Sequence, residues 1–536
     1  MSDVFQTEVV IVGAGPVGLA LAIELGLRSV RCLVLEQHDK VGLNPRAKLT
    51  NVRTREHLRR WGIADDLRRA SGLPPDYPPD VVFATRLNGY PLARFENAFY
   101  CSLARDDRYS EPGQWVPQFV LEEVLRRRAE TLPTVELRFS RRVETLRQDA
   151  RGVAVDFVDE TSGARGTATG AFLVGADGAR SAVRDALGIA MEGEGALAPN
   201  MNVIFRAPGL AGMHDKGRAI QYWMVNRDAP AYLGPMDSDG LWFLIAPRLP
   251  GGTDLNRIDA RALVRRACGL EFDMEIVHAD PWTAYRLIAA RYGKGRVFLA
   301  GDACHLHPPS GGHGMNMGIG DAVDLGWKLA AALQGWGGPG LLDTYEAERK
   351  PVHQRVIRAA MESYALVGDQ LVREDIESPG AAGERVRRET GELILKHKLP
   401  EFRSLGVVLG YRYRDSPAIV PDGTTAAPED DIEYRPLAQP GCLAPHLWLA
   451  DGSSLYDRLG PGYTLLTAAP ADGAAPLQRA AAAGGIPLKV LPVADPRFAQ
   501  LYEAPLALVR PDQHVAWRGD RLPEDARGLL DRVRAA

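Results

Sequence analysis

The chain has 536 residues and a formal net charge of -4, with 64 Lys and Arg against 68 Asp and Glu. Its length allows several domains, and 46% hydrophobic with 25% charged residues is typical of a soluble globular enzyme. The near balance of charges excludes the strongly basic surface that nucleic acids or anionic membranes require, so we expect neither as a partner. The cysteines are far apart and form no C-x-x-C pair, which favours a reducing compartment. They are Cys32, Cys101, Cys268, Cys304 and Cys442.

The apolar stretch VVIVGAGPVGLALAIELGL, which begins at Val9, could be mistaken for a membrane span. Its early glycines, together with Pro16 and Glu24, suit a tight turn between a strand and a helix better than a passage through a bilayer. No basic leader precedes it, so we expect no signal peptide and a cytoplasmic protein.

In chain order, the hydrophobic patterns predict an α/β protein that opens with a βαβ unit. The run EVVIV at 8–12 predicts a strand, GLALAIELGLRS a helix, and RCLVLE a second strand that ends at Glu36. Helices are expected at 52–70 and at 119–132, whose early acidic and late basic residues suit the helix dipole. Between 135 and 174, polar and apolar residues alternate as in strands.

The second half of the chain changes character twice. Aromatic, alternating segments such as AIQYWMVN and LWFLIAP predict a β-sheet layer between about 185 and 290. The Pro- and Asp-rich segment at 415–435 indicates a boundary, and the tail beyond it predicts a separate small α/β domain. The elements expected between these two regions are a strand over 296–302 and helices from about Gly320, over 341–366 and over 370–400.

The motif IVGAGPVG places Gly13, Gly15 and Gly18 between a strand and a helix, with Glu36 at the end of the next strand. Gly13 permits a tight turn, Gly15 lets the backbone approach a pyrophosphate, and Gly18 lets the helix and strand pack closely. The free N–H groups of the helix start stabilise phosphate, and Glu36 can accept hydrogen bonds from ribose hydroxyls. The motif therefore predicts dinucleotide binding without deciding between NAD and FAD.

The run VFLAGDACHLHPPSGGHGMNMGIGDAVDLG leaves two alternatives open. One is a metal site, in which His305 and His307 ligate with help from Cys304, Asp302 or His313. The other is a backbone surface that wraps a flat cofactor, since glycines let the main chain approach a ring that side chains would hold off. Zinc sites usually take tetrahedral ligands from spaced motifs, so we expect no metal.

This run resembles the second flavin-binding motif of the group A FAD-dependent aromatic hydroxylases, the para-hydroxybenzoate hydroxylase-like flavoprotein monooxygenases. GADGARSAVR at 175–184 resembles their middle motif, and the three motifs occur in the family's order. The segments PGCLAPHLWLADGSSLYDRLGPGYTLL and LVRPDQHVAWRG resemble the thioredoxin-like C-terminal domain of the phenol, hydroxyphenylpropionate and polyketide hydroxylase branch. Because the tail has no C-x-x-C, that domain is expected to be redox-inactive.

The resemblance implies an α/β fold. It consists of a Rossmann-like FAD-binding domain with an inserted β-sheet substrate domain, followed by a C-terminal thioredoxin-like domain. We expect the FAD-binding domain to combine 1–184 with 285–400, with 80–115 contributing to the substrate side. The substrate-binding β-sheet domain is expected at 185–284 and the thioredoxin-like domain at 415–536.

The resemblance also implies how FAD is held without a covalent bond. Arg46 would contact its phosphates, Gln118 and Asp302 its ribityl chain, and the backbone of Val143 its adenine. Asp177 would hold together the cleft between FAD and NAD(P)H. The expected cofactor-binding residues are Gly13, Gly15, Gly18, Glu36, Arg46, Gln118, Val143, Asp177, Asp302, Pro309, Gly312, Gly314, Met315 and Asn316. For two further residues of the middle motif, Arg180 and Arg184, the alternative to a role at the cofactor is an ordinary charge on the protein surface.

In the family, the loop HPPSGGHGMN runs along the isoalloxazine ring. Pro308 and Pro309 would stiffen its approach and present a backbone carbonyl near the reactive edge, so their backbone is an expected catalytic element. Backbone N–H groups near Met315 and Asn316 would face the pyrimidine edge of the flavin. A helix from about Gly320 would point its positive end toward the ring.

The aromatic strands are the expected wall of the substrate pocket. Tyr222 and Tyr232 are candidates for the group that draws the proton from a phenolic substrate. Alternation lets only about half of the aromatic side chains face inward, so ordinary core packing is the alternative for each of them. The other expected pocket residues are Trp223, Trp242, Phe243 and His313.

The resemblance implies that NAD(P)H reduces FAD, that O2 then gives a C4a-hydroperoxyflavin, and that an electron-rich ring receives one hydroxyl group. With a single G-x-G-x-x-G motif, NADPH or NADH is expected to visit without a domain of its own. The expected partners are a small phenolic or polyketide-type aromatic substrate and O2, with a homodimer as one option for assembly. Three alternatives stay open: Baeyer–Villiger or another oxygenation, halogenation, for which no W-x-W-x-I-P segment is found, and non-catalytic flavin binding.

Overall fold

A computed structural model of the chain describes residues 3–39, 47–250, 253–425, 427–468 and 473–536. Across these ranges, no helix combines the length and the apolar character needed to span a bilayer. The stretch from Val9 forms a strand, a turn and a helix. The five cysteines are all in the described ranges, and each is a free thiol.

The strands of the described residues are numbered in chain order. They are β1 Asp3–Gln6, β2 Val9–Val12, β3 Cys32–Leu35, β4 Leu49–Thr50, β5 Val81–Ala84, β6 Pro91–Phe95, β7 Gln114–Trp115, β8 Val135–Arg138, β9 Arg141–Gln148, β10 Val153–Asp159, β11 Arg165–Gly170, β12 Phe172–Gly175, β13 Met191–Arg206, β14 Gln221–Met224, β15 Ala231–Pro235, β16 Leu241–Ala246, β17 Glu275–Ala289, β18 Gly293–Lys294, β19 Val297–Leu299, β20 His305–Leu306, β21 Tyr463–Thr467, β22 Leu488–Pro492, β23 Leu506–Val509 and β24 Val515–Gly519.

The α-helices of the same residues are numbered likewise. They are α1 Pro16–Gly26, α2 Val52–Arg60, α3 Ala64–Arg69, α4 Gln118–Glu130, α5 Ala182–Ala186, α6 Ala260–Cys268, α7 Gly314–Leu333, α8 Thr344–Tyr364, α9 Gly380–His397, α10 Leu399–Phe402, α11 Leu405–Leu409, α12 Ala475–Ala483, α13 Arg497–Tyr502 and α14 Ala526–Val533.

A Rossmann-like sheet of order β18-β19-β12-β2-β3-β8 lies at the centre of the larger part of the molecule. All its pairings are parallel except that of β18 with β19. The short runs VVIV of β2 and CLVL of β3 are fully buried, as is typical of parallel strands covered on both faces. Chain segments that follow β2, β3, β12 and β19 meet at the carboxyl edge, where open α/β sheets bind their ligands. A separate four-stranded sheet of order β1-β11-β10-β9 lies beside it.

An eight-stranded sheet of order β20-β17-β13-β16-β15-β14-β5-β6 forms the second layer. The long strands β13 and β17 pair antiparallel, and β5 joins the sheet by parallel pairing with β14. Strands β5 and β6 come from 80–115, the segment expected to contribute to the substrate side. The exact domain boundaries stay predictions.

The C-terminal part is a thioredoxin-like α/β unit with a sheet of order β22-β21-β23-β24. Strands β21 and β22 are parallel, and the other two pairings are antiparallel. The unit packs on α7 and α8, since Tyr463 and Leu508 share a buried cluster with Trp327 and Val352. The buried guanidinium of Arg510 adds charged contacts to the same interface, where it binds Glu348 at 2.6 Å and Asp324 at 3.3 Å.

Two helix boundaries differ from those expected. The helix predicted from about Gly320 begins at Gly314, because the glycines that suggested a loop lie inside its first two turns. The helix predicted over 52–70 is two helices, α2 and α3, separated at Gly62, whose φ of +78° lies in the left-handed region. Glycines thus lie inside the first turns of α7, whereas Gly62 adopts the left-handed conformation that separates α2 from α3.

Candidate active site

The first glycine turn lies between β2 and α1, and its three glycines have different surroundings. Gly13 has a φ of +103°, and a Cβ there would lie 2.4 Å from the carbonyl oxygen of Ala176. A Cβ at Gly18 would lie 1.9 Å from the carbonyl oxygen of Gly13, whereas one at Gly15 would meet nothing within 4 Å. The fold itself therefore requires Gly13 and Gly18. Gly15 leaves open space at the N-terminus of α1, where a phosphate group can approach.

Glu36 follows β3 and contacts the same turn from the side. Its Oε2 accepts a hydrogen bond from the backbone N–H of Ala14 at 2.7 Å, and its Oε1 accepts one from His38 at 2.9 Å. The half-buried carboxylate thus joins the end of β3 to the glycine turn and keeps lone pairs for a ligand. Its contact with ribose hydroxyls stays a prediction.

Gln118 is the first residue of α4 and connects this helix to the segment before β4. Its Oε1 accepts the N–H of Ala47 at 3.2 Å, and its Nε2 donates to Glu122 at 2.7 Å. Val143 lies half-buried on β9, and Arg46 falls outside the described residues. The FAD contacts of Gln118, Val143 and Arg46 all stay predictions.

Asp177 lies just beyond β12, against the first glycine turn. A Cβ at Gly13 would come within 3.1 Å of its Cα. Its Oδ2 accepts the N–H of Val183 at the start of α5 at 3.1 Å, and burial raises the pKa of its carboxyl above the usual value. Asp177 therefore stabilises the helix that follows its own loop, next to the space in front of Gly15.

The two arginines of the middle motif lie in different surroundings. Arg180 is exposed. Arg184 is buried and donates to the carbonyl oxygens of Ala179 at 3.1 Å and Ala303 at 3.3 Å. A surface position for Arg184 is therefore wrong, because this side chain connects the loop after β12 to the loop after β19.

The second glycine-rich segment, from 308 to 316, is called the flavin loop from here on. Gly311 and Gly312 have φ values of +79° and +66°, and a Cβ at Gly311 would lie 2.4 Å from Nε2 of His313. A Cβ at Gly314 would find no heavy atom closer than 3.6 Å. Backbone conformation thus demands Gly311 and Gly312, whereas Gly314 leaves open space at the start of α7. Asp302 lies half-buried in a short 3-10 turn just before this loop.

Asn316, in the first turn of α7, holds the flavin loop against β4. Its Oδ1 accepts the N–H of Asn51 at 2.9 Å, and its Nδ2 donates to the carbonyl oxygens of Leu49 at 2.9 Å and Gly312 at 2.7 Å. The sequence predicted a role for the backbone N–H groups near Met315 and Asn316, and this side-chain role was missed. Those N–H groups have no acceptor inside the helix, because they belong to its first turn.

Asp321, two turns into α7, accepts hydrogen bonds from groups that hold the base of the loop. The donors to its two oxygens are His305 at 2.9 Å, Arg349 at 2.8 Å, His353 at 3.0 Å and the N–H of Gly301 at 3.1 Å. Burial alone would raise the pKa of Asp321, but His353 and Arg349 hold it well below its usual range. A permanently charged carboxylate therefore fixes both ends of the segment that carries Asp302.

The metal alternative is decided by the same contacts. Potential ligand atoms of Cys304, His305 and Asp321 lie within 4.8 Å of one another. The Asp321 carboxylate, however, is already shared by an imidazole and by the guanidinium of Arg349, whose charge repels a second cation at this distance. The donor set does not fit a metal ion.

Two histidines, one just before the flavin loop and one within it, are neutral by burial. Burial lowers the pKa of His307 to about 4 and that of His313 to about 3. The Nδ1 of His307 lies 2.8 Å from the carbonyl oxygen of Pro308, so its hydrogen donates to the loop itself. His313 is the residue before α7 and packs against Gly311. Both side chains therefore contact the flavin loop.

Alternation on β14, β15 and β16 divides the predicted pocket wall between the two faces of the sheet. Trp223, Tyr232 and Phe243 share one buried aromatic cluster, and Tyr222 and Trp242 pack in the cluster on the other face. Trp223 stacks on Tyr232 with ring centroids 4.5 Å apart. Three of these five aromatic residues therefore share one face of the sheet, and the other two lie on the opposite face.

The hydroxyl of Tyr222 has a structural role. It donates to the carbonyl oxygen of Gly217 at 2.6 Å and accepts the N–H of Ala219 at 2.9 Å. These bonds fix the loop before β14, on the face away from the flavin loop. Tyr222 and Trp242 do not belong to the pocket expected for them, because the period of two in a strand turns them to the opposite side.

A small cavity lies between the flavin loop and the aromatic face. It brings together two of the predicted pocket residues, Trp223 and Tyr232, with Pro309 of the loop. Pro308, His313 and Phe243 do not line it. The other side chains that shape it include Asn200, Trp282, Ser310, Tyr364 and Glu401.

The sequence missed several residues of this region. Trp282 stands in a strand pattern that gave a weak signal, whereas nothing in HKLPEFRS marks Glu401. Lys48 is buried, with its Nζ 4.5 Å from the centroid of the Phe243 ring, and burial lowers its pKa to about 7. A buried lysine just before a short strand cannot be distinguished by sequence from one on the surface.

Comparison with known protein families identifies two matching profiles. One, described as FAD binding domain, matches residues 6–360, and the other, described as aromatic-ring hydroxylase, C-terminal, matches residues 438–536. Tetracenomycin B2 monooxygenase-dioxygenase of Streptomyces olivaceus is 35% identical over 99% of each chain. Aklavinone 12-hydroxylase RdmE of Streptomyces purpurascens is 32% identical over 98% of each chain.

Solved structures give the same result. The rebeccamycin biosynthetic enzyme RebC with reduced flavin is 36% identical, with a TM-score of 0.91 over 99% of each chain. The ternary complex of aklavinone-11 hydroxylase with FAD and aklavinone is 31% identical, with a TM-score of 0.86 over 100% of each chain.

The residues present fit FAD. The open space at Gly15 in front of α1 suits its phosphates, and the flavin loop presents glycine backbone and the first-turn N–H groups of α7 beside the aromatic cavity. Because one profile covers most of the chain and relatives align over nearly all of it, the chain belongs to the FAD-dependent aromatic-ring hydroxylases, flavoprotein monooxygenases that use NAD(P)H and O2.

Proposed function

We propose that the chain inserts one hydroxyl group into a phenolic aromatic substrate bound in the cavity between Pro309 and the face formed by Trp223 and Tyr232. The cavity is the observation that carries this proposal. It joins the flavin loop to stacked aromatic side chains, which favour a flat, largely apolar ligand.

Different groups of the chain would bind different parts of the cofactor. Gly15 and the N-terminus of α1 would hold the phosphates of FAD, Glu36 a ribose, and the flavin loop the ring. When bound, FAD supplies the redox chemistry, the acceptance of a hydride from NAD(P)H and the activation of O2. The positive end of α7 favours negative charge beside the flavin loop, because its first-turn N–H groups and the helix dipole point there.

The aromatic face orients the substrate and excludes water. Trp223 is sandwiched between Tyr232 at 4.5 Å and Phe83 at 5.2 Å, both near-parallel, so its ring cannot tilt away. A rigid aromatic wall opposite Pro309 holds a flat ring at a defined distance from the loop. Water exclusion matters because a wet site wastes reduced cofactor on peroxide formation.

The relatives suggest which phenols to test first. Similar proteins are named for tetracenomycin, aklavinone and polyketides, and solved structures of similar proteins contain aklavinone or K252c. Tetracenomycin, aklavinone and K252c are polycyclic aromatic compounds. Hydroxylated polycyclic aromatics are therefore the proposed substrate class, and the position of oxygenation is set by how the ring lies in the cavity relative to Pro309.

The test is a screen of phenols and hydroxylated polycycles with the purified flavin-loaded protein. We expect at least one of them to accelerate NAD(P)H oxidation and to gain one oxygen atom, measured by mass spectrometry. The control is Gly15→Asp, which adds a carboxylate where no protein atom clashes and should repel the FAD phosphates. A lactone product, or flavin-loaded protein that consumes no O2 with any aromatic compound, would contradict the proposal.

A further inference from the structure

Glu401 is a buried carboxylate that lines the cavity beside Pro309. It lies in the short helix α10, next to Lys398, whose side chain is fully buried. The Nζ of Lys398 donates to Oε2 of Glu401 and, at 3.2 Å, to the carbonyl oxygen of Ser363. It also lies 4.6 Å from the centroid of the Trp223 ring, so the ion pair sits directly beneath the aromatic wall.

The second carboxylate oxygen of Glu401 has a different environment. Lys398 occupies Oε2, and among the described residues no donor reaches Oε1. A ligand that brings a donor to this oxygen would gain a charge-assisted hydrogen bond there. Because Glu401 lines the cavity, such a ligand would lie where the substrate is proposed to bind.

The position of Glu401 is rigid. The next residue, Phe402, is fully buried and packs edge-on against Phe99, with ring centroids 5.5 Å apart, and against Trp223 at 6.3 Å. Its ring also contacts Phe95 at 4.9 Å. The packing of Phe402 and the contact with Lys398 together hold the Glu401 carboxylate in place before any ligand binds.

Tyr232, a candidate for the proton-drawing group, is unsuited to that role. Burial first, and then the nearby Glu401 carboxylate and Tyr364, raise the pKa of Tyr232. Its hydroxyl therefore stays protonated and serves as a donor. Glu401, paired with Lys398, is the negatively charged acceptor in the same cavity.

We propose that Oε1 of Glu401 accepts a hydrogen bond from a hydroxyl group of the aromatic substrate, and that the cavity therefore selects hydroxyarenes over arenes without a donor. This inference rests on the proposed function, because it assigns an acceptor within the same cavity. A hydrogen bond from a phenol to a carboxylate is charge-assisted, and it raises the electron density of the ring that receives the oxygen atom. Lys398 acts as a positioning residue, since it holds the carboxylate without lining the cavity itself.

The test compares binding of matched probes to the flavin-loaded protein without NAD(P)H, measured by the change in flavin absorbance. The probes are phenol, 1-naphthol and 2-hydroxyanthraquinone, each with its O-methyl ether, which removes the donor. We expect the wild type to bind the preferred phenol at least tenfold more tightly than its ether. Glu401→Gln should lower that ratio by about tenfold, because a neutral amide is a weaker acceptor than a carboxylate.

A second variant keeps the test meaningful if Glu401→Gln folds poorly. The double substitution Lys398→Met with Glu401→Leu replaces the pair by apolar side chains of similar size, a change that buried ion pairs often tolerate. It should bring the ratio of phenol to ether binding close to one. The matched control is Glu389→Gln, which removes the same charge from the exposed face of α9 and should leave the ratio unchanged.

The outcomes separate this inference from the proposed function. If Glu401→Gln keeps the full wild-type ratio, or if the wild type binds none of the phenols, the assignment of Glu401 is wrong. If the wild type hydroxylates aromatic compounds but does not distinguish a phenol from its ether, the acceptor is wrong and the proposed function stands. If the wild type oxidises no aromatic compound although it discriminates between the probes, the proposed function fails and the acceptor stands.

Discussion

The two glycine-rich segments of the cofactor site are held in place by different means. The turn at 13–18 is shaped by backbone contacts: Gly13 against Ala176 and Gly18 against Gly13. The flavin loop is shaped by side chains from distant parts of the sequence, with Asn316 bonded to β4 and Asp321 bonded to Arg349 and His353 of α8.

The difference shows where each segment is vulnerable. The backbone-shaped turn fails when a side chain is added at Gly13 or Gly18, because neither position has space for a single extra carbon. A loop held by side chains fails when one of those side chains loses its charge or its hydrogen bonds, although every glycine remains. Substitutions in the two segments should therefore produce distinguishable defects.

The largest effect is expected for Asp321→Asn. Loss of the carboxylate charge leaves the guanidinium of Arg349 buried without its partner, and breaking a buried pair in this way costs about 3–5 kcal/mol of unfolding free energy. The measurement is urea unfolding of the flavin-loaded protein. Asp343→Asn, an exposed change in the residue before α8, is the control. A loss below about 1 kcal/mol would show that Asp321 does not hold the loop.

The pair Gly18→Ala and Gly15→Ala tests the backbone-shaped turn. In Gly18→Ala the new Cβ would lie 1.9 Å from the Gly13 carbonyl oxygen, so we expect a loss of about 3 kcal/mol in unfolding free energy. Gly15 has a φ of -70° and open space around it, so Gly15→Ala should leave the stability of the flavin-free protein within about 0.5 kcal/mol. Its FAD affinity should fall, measured by flavin fluorescence. Equal destabilisation by both substitutions would contradict the assignment of Gly15 to ligand space.

Lys48→Met tests the strand to which the flavin loop is bound. Burial lowers the pKa of Lys48 from its usual 10.5 to about 7, so between these values the unfolded chain binds more protons than the folded one. Wild-type stability should therefore rise with pH across this window, and the Met variant should lack that contribution. The free energy of unfolding of the Met variant, relative to that of the wild type, should therefore fall by about 2 kcal/mol between about pH 7 and about pH 8.5. Lys294→Met, at an exposed position, should show no such pH dependence.

The smallest effect is expected for Asn316→Ala. It removes the partners of the Asn51 N–H and of the Leu49 carbonyl oxygen, at a cost of about 1–2 kcal/mol in unfolding free energy. The loop should lose its contact with β4, so FAD should dissociate faster, measured by flavin release on dilution. Unchanged release with a stability loss of the expected size would show that Asn316 supports the fold but not the position of the flavin loop.

Much of the fold could be predicted from the sequence because its signals are local. The βαβ opening, the family resemblance and the class of reaction all depend on short motifs whose spacing is visible in the chain. The start of α7 was misplaced because glycine signals a loop by propensity. Here, hydrogen bonds between Asn316 and two residues more than 260 positions earlier, Leu49 and Asn51, accompany a helix that begins at Gly314.

The sequence by itself determined the cofactor and the chemistry that follows from it, through short motifs whose order and spacing resemble those of one family. Only the tertiary structure decided which aromatic side chains face the flavin loop, since strand register turns Tyr222 and Trp242 away from Trp223 and Tyr232. It alone also placed Glu401 in the cavity and Asp321 under the loop. These groups come from segments far apart in the chain, and their proximity depends on how helices and sheets pack, which no local pattern encodes.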